Sequence, residues 1–126
     1  MRNENGFTLI EVMVSIALLA FMMLGAFSGL IAVNNLIIRN TLRDEAVKLS
    51  SERLTVARNT PYINLASGTS TAAYTRQVDN ANKIFSVQEV VAVEVTNVAK
   101  SVMVTVSWPF RGTTHSHVAT TIVGNR

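Results

Sequence analysis

From Val12 to Ile38 the chain runs 27 residues without one charged side chain. Wound as an α-helix, this run reaches about 40 Å, against roughly 30 Å for the hydrocarbon core of a bilayer. Its only polar members are Ser15, Ser28, Asn34 and Asn35, so it is long and apolar enough to span a membrane. A cleavable secretory signal has a shorter apolar stretch, roughly 7 to 15 residues, ending at small residues. Here the apolar character continues past Ala17–Ala20 and past Gly25–Ala26, which favours a retained anchor.

One carboxylate, Glu11, stands at the start of the run. Moving an ionised carboxylate into hydrocarbon costs on the order of 3 kcal/mol, so a charge at this place is expected to have a partner or a task. Two tasks suit it. Thr8-Leu-Ile-Glu11 fits a capping box, with Thr8 as N-cap, Glu11 reaching back, and Phe7 and Val12 as a hydrophobic staple. The positive end of the helix dipole favours the charge as well. The other task is pairing with an ammonium group of pKa near ~8, which requires the carboxylate, whereas a capping box accepts glutamine equally well.

Past the run the helical pattern becomes amphipathic. Leu42, Ala46, Leu49 and then Val56 or Ala57 recur at spacings of three and four, with Arg39, Arg43, Asp44, Glu45, Lys48, Glu52 and Arg53 between them. Asn59-Thr60-Pro61 ends the pattern, because proline cannot continue the hydrogen-bond ladder. One helix over residues 8–58 is therefore predicted. After a loop at Ser67–Thr71, β-branched residues follow at period two. In Val102–Trp108 the valines and the tryptophan face one way while Thr105 and Ser107 face the other. Val91, Val93 and Val95 are expected to repeat this core face one strand earlier, and Val118, Thr120 and Ile122 one strand later. Asn97–Lys100 and Pro109–Thr114 form the connections, and Tyr74–Val78 is a candidate edge strand. The fold class is α+β, a long N-terminal helix packed on a small antiparallel sheet of three to four strands.

A chain of 126 residues, about 50 of them in one helix, leaves room for one small domain. The absence of cysteine rules out disulfides and thiolate metal sites. No phosphate-binding glycine loop, HExxH or Ser/His/Asp spacing points to catalysis, and neither cofactor nor metal is expected. The net charge of +3 rests on 19 charged side chains, a mildly basic surface with nucleic acid as a minor option.

Gly6-Phe-Thr-Leu-Ile-Glu11, followed by Val-Met-Val-Ser and the apolar run, resembles the signature of type IV prepilins, shared by major pilins, minor pilins and type II secretion pseudopilins. The tail, with Val-Thr-Val-Ser-Trp108, Arg111-Gly112 and Thr120–Val123, is similar to minor pilins of the PilV kind. The resemblance implies a pilin-like fold divided into a leader peptide at 1–6, a membrane and filament-core helix at 7–38, an amphipathic half at 39–60 and a sheet domain at 61–126. It implies cleavage between Gly6 and Phe7 by a prepilin peptidase, N-methylation of Phe7, and a Glu11 that neutralises a terminal amine as subunits join. Its implied partners are other pilin or pseudopilin subunits and an inner-membrane assembly platform. The implied location is the bacterial inner membrane, single-pass with the C-terminal domain outside the cytoplasm, and then a pilus or pseudopilus. Many major pilins have a C-terminal disulfide and a proline in the membrane helix. This chain has neither, which places a minor pilin or pseudopilin ahead of a major one.

The remaining features are modest. Gly25 and Gly29 form a GxxxG pair, read either as a place where helices approach closely or as chance small residues or a flexible spot. His115 and His117 share one strand face and are expected to be exposed, and Trp108 is expected to close the sheet core. The positive-inside rule sets Arg2 against Arg39, Arg43 and Lys48 and taken alone orients the chain the other way, so the cytoplasmic leader rests on the resemblance. Three functional readings follow: a minor pilin that primes or enters a type IV pilus, a type II secretion pseudopilin, and a membrane-tethered DNA- or surface-binding minor pilin. The third ranks last because Arg76, Lys83, Lys100 and Arg111 are dispersed in sequence.

Overall fold

A computed structural model describes residues 7–125 of the chain. Its first element is one helix, α1 (Leu9–Asn59), and contacts divide the chain into two units, residues 1–37 and 38–126. In the first unit α1 is exposed at every described residue except a half-covered Asn35. Its most apolar 18-residue window has a mean hydropathy of 2.4 and no buried residue.

In the second unit α1 becomes a packed helix. Leu42, Ala46, Leu49, Ser50, Leu54 and Ala57 are buried at spacings of one, three and four residues, the stripe that a 3.6-residue period lays along one side. Ala57 takes the inward place and Val56 is exposed. The helix stops as the proline requires: the Thr60 hydroxyl donates to the Val56 carbonyl at 2.8 Å, and Pro61 has left helical geometry at φ −55°, ψ 142°.

Four strands follow, β1 (Gly68–Val78), β2 (Ala81–Val95), β3 (Ala99–Phe110) and β4 (Thr113–Gly124), in an antiparallel sheet of order β1-β2-β3-β4. The fold is α+β and pilin-like, with the second half of α1 covering one face of the sheet. Two hairpins close through two-residue turns with positive φ, Asp79-Asn80 and Arg111-Gly112, the backbone geometry that matches strand twist in tight hairpins. The core joins the α1 stripe to Val78, Phe85, Val87, Val102, Val104, Val106, Trp108 and Val123. Val102, Val104, Val106 and Trp108 all face it, as their alternation predicts.

Three strand expectations are corrected. Ser67–Thr71 is not a loop, because β1 begins at Gly68 and Gly68 pairs with Val91. In β2 the inward residues are Phe85, Val87 and the half-buried Val91, as expected for Val91, whereas Val93 and Val95 are exposed, and a register shift follows Val93. In β4 the parity is opposite to that expected. Val118 and Ile122 are 51% and 67% exposed, while Thr121 and Val123 are buried. The Arg111-Gly112 turn pairs Phe110 with Thr113, which sets Val102 opposite Thr121 and Val104 opposite Ala119. Directly paired residues share a face, so the odd-numbered residues of β4 point to the helix.

Candidate functional site

The start of α1 is built by Thr8. The Glu11 amide N–H donates to the Thr8 hydroxyl at 3.3 Å and to the Thr8 carbonyl at 3.0 Å, and the Val12 amide reaches the same carbonyl at 3.2 Å. This is the N-cap half of a capping box. The reciprocal half does not form. The Glu11 carboxylate is exposed and makes no hydrogen bond or ion pair among the described residues. Phe7, 82% exposed, lines a shallow hollow of ≈500 Å³ together with Val12, Ser15, Ile16 and Leu19, as a staple arrangement allows. Gly6 and the rest of segment 1–6 lie outside the described residues.

Along the apolar half, both serine hydroxyls are satisfied within the helix. The Ser15 hydroxyl donates to the Glu11 carbonyl at 2.8 Å and the Ser28 hydroxyl to the Leu24 carbonyl at 3.1 Å, which removes the penalty of an unpaired hydroxyl in hydrocarbon. At Gly25 and Gly29 an added Cβ meets nothing within 4 Å.

An exposed apolar helix entered by an N-capped turn, with a carboxylate that has no partner among the described residues, is a recognisable arrangement. Residues 1–27 match the family described as the prokaryotic N-terminal methylation motif. The chain carries a type IV prepilin-like leader. Such a motif supports a pilin-like prepilin that serves as a structural subunit, with processing by a prepilin peptidase and other pilin subunits as partners. Together with the apolar helix it fits anchoring in the inner membrane. No curated protein and no solved structure matches the prepilin-like chain.

The second unit supplies the remaining polar chemistry, most of it inside the fold. Arg53 donates to Glu89, and this hydrogen bond raises the guanidinium pKa further above its ordinary value. Arg76 pairs with Glu52, and Arg58 donates to the Thr121 hydroxyl at 2.8 Å. Lys100 donates to the carbonyls of Tyr62 at 3.0 Å and Leu65 at 2.6 Å, with its ammonium 4.4 Å from the Tyr62 ring centroid. These contacts tie the segment after α1 to the sheet. Of the four dispersed cations, Arg76 and Lys100 are therefore occupied, and Lys83 and Arg111 are exposed. Arg53–Glu89 and Lys100–Tyr62 left no mark in sequence, since their partners lie more than thirty residues apart.

The histidines are a further correction. His115 and His117 are half-buried on the helix-facing side, with the His115 ring stacked 6.1 Å from Trp108. They follow the parity that the Arg111-Gly112 turn imposes on β4. Trp108 closes the core beside Phe85, at a centroid distance of 6.1 Å. A cavity of ≈650 Å³ lies beyond the end of α1, lined by Arg58, Tyr62, Ile63, Ile122 and Asn125 among others. Its walls come from both ends of the second unit's sequence, so no local pattern announces it.

Proposed function

We propose that the chain is a minor pilin. After a prepilin peptidase removes residues 1–6 at the Gly6–Phe7 bond and Phe7 is N-methylated, it joins or primes a type IV pilus through α1. Residues 7–38 serve as its membrane and filament-core helix, residues 39–60 as the amphipathic half, and residues 61–126 as the sheet of a head outside the cytoplasm. An inner-membrane platform hands it from the bilayer to the filament.

The observation that carries this reading is Glu11. Thr8 caps the helix, and among the described residues the carboxylate has no partner, at the edge of a segment whose apolar side chains are all uncovered. A charge so placed is stabilised by an opposite charge, and the new amino terminus at Phe7 of a neighbouring subunit offers one. Gly25 and Gly29 leave a side of the helix free of Cβ atoms, where a neighbouring helix can approach closely.

Mass spectrometry of the membrane form tests the processing. The expected mature chain begins with N-methyl-phenylalanine at Phe7, and an intact Met1 refutes the proposal. A type II secretion pseudopilin shares the same N-terminal logic, and recovery of the chain in sheared surface pili separates the two. DNA capture draws less support, because Arg76 and Lys100 are engaged within the fold.

A further inference from the structure

The face of the sheet turned away from the packed half of α1 differs in kind from the face turned toward it. Paired residues share a face, so the register across β1–β4 fixes the outer composition row by row. The middle row is Thr71, Gln88, Thr105 and Val118, and the next is Thr69, Val90, Met103 and Thr120. Ala92, Ser101 and Ile122 follow on one side, and Ala73, Ser86, Ser107 and Ser116 on the other. Among the described residues in register on this face, none is charged. The charges of the sheet fall elsewhere: Arg76, Lys83, Glu89 and Lys100 on the helix side, Asp79 and Arg111 in turns, and Glu94 at the register shift. Met103, Val118 and Ile122 are exposed and adjoin Val90, an apolar centre rimmed by hydroxyls. A solvent-facing apolar centre without charge, inside a polar rim, is the composition of a protein contact surface.

The chemistry of the face selects its occupant. Nucleic acid requires cations, and the rows carry none. The aromatic rings of the strands, Tyr74, Phe85, Trp108 and Phe110, all pack on the helix side, which leaves the outer face no ring for a ligand to stack on. Hydroxyl and carboxamide groups both donate and accept hydrogen bonds, so a surface of Ser, Thr and Gln complements a copy of itself. In a chain of net charge +3, this is a face through which two copies approach without bringing like charges together. Its size is sufficient. Four strands ~4.8 Å apart, each at least eleven residues long at ~3.3 Å per residue, present roughly 700 Å², so a pair buries about 1,400 Å², within the range of stable specific interfaces.

We propose that this outer face docks on the same face of a second copy of the chain, sheet against sheet, in an isologous two-fold dimer. Gln88 and Thr105, at the middle of β2 and β3, lie at its centre. The contact is confined to the four strands, and neither the course of the apolar helix nor the pilin-like reading enters it. Two-fold symmetry closes the pair on itself, so it is a dimer and not a growing array.

The absence of cysteine makes a cross-linking test clean. Membranes holding the full-length chain with Gln88→Cys, an exposed position, are solubilised in mild detergent and treated with a short bis-maleimide. The expected product is a dimer of this chain, several-fold more abundant than the dimer of Val56→Cys on the exposed side of α1, which measures chance encounter and contact through the apolar helices. On the Gln88→Cys background, Met103→Glu alone and Met103→Lys alone are each expected to reduce the dimer to the Val56→Cys level through like-charge repulsion. Mixing the two differently tagged chains is expected to restore it, which also shows that neither substitution unfolded the head. Equal yields from Gln88→Cys and Val56→Cys, adducts only with other proteins, a dimer that survives Met103→Glu, or a mixture no better than its parts overturn the proposal. Cleavage and methylation at Phe7 are read separately by mass, so failure of the pilin reading and failure of the dimer are distinguished.

Discussion

Two halves of one helix behave as different materials. Before Ile38, α1 carries leucine, isoleucine, methionine and phenylalanine on every side and buries none of them; after it, six residues vanish into a core and charged residues take the outside. The backbone is the same, so the difference lies in what each half is given to pack against. The second half is completed by its own chain through β1–β4. The first buries no apolar side chain among its described residues, a surface suited to lipid or to other helices. Stability and assembly are therefore expected to be separable by mutation.

The largest effect is expected at Glu11. Glu11→Gln preserves the Thr8 cap, which uses the backbone amide, so membrane insertion and folding persist while incorporation into filaments is lost. Sheared-pilus immunoblots beside membrane fractions check this, and normal incorporation removes the charge-pairing argument. Next comes the packed half. Phe85→Ala or Leu49→Ala empties a site that is 0% or 1% exposed and is expected to destabilise the head by roughly 2–5 kcal/mol, whereas Leu18→Ala in the first half leaves the melting of the head unchanged. Thermal denaturation of the detergent-solubilised chain compares them.

A smaller change is expected at Lys100. Lys100→Met keeps the aliphatic stem and removes two charge-assisted bonds to Tyr62 and Leu65. About 1–3 kcal/mol is at stake, and proteolysis should speed up first at the segment between Pro61 and Ser67. The smallest effect is expected at Val56→Ser, on the exposed side of the packed half, where a shift within about 0.5 kcal/mol in the same melts confirms that only the inward stripe matters.

Much of this was legible in the sequence, and the failures have a common cause. The uncharged run, the Leu42/Ala46/Leu49 stripe and the stop at Pro61 are local signals, each carried by a few neighbouring residues. β3 was equally plain, because valine alternates there with serine, threonine and methionine. β4 was not. Val118, Thr120 and Ile122 on one face compete with Thr121 and Val123 on the other, and both sets are β-branched. Asp79-Asn80 was a readable hairpin signal, and with it the Phe85/Val87 core of β2 could have been placed. The candidate site at Thr8–Glu11 was visible as a motif, but only the structure showed that the cap uses the backbone of Glu11 and that its carboxylate does not complete the capping box.

The sequence by itself determined a membrane-length apolar helix, its capped beginning beside a single acid, its amphipathic continuation and the presence of a sheet, because each of these follows from charge and spacing along a continuous stretch. The tertiary structure alone decided which face of β4 meets the helix, that both histidines turn inward, and that Arg53 and Lys100 are spent inside the fold. Those outcomes depend on register, which a two-residue turn at Arg111-Gly112 transmits along the whole hairpin. A one-residue slip there would turn every side chain of the strand to the other face.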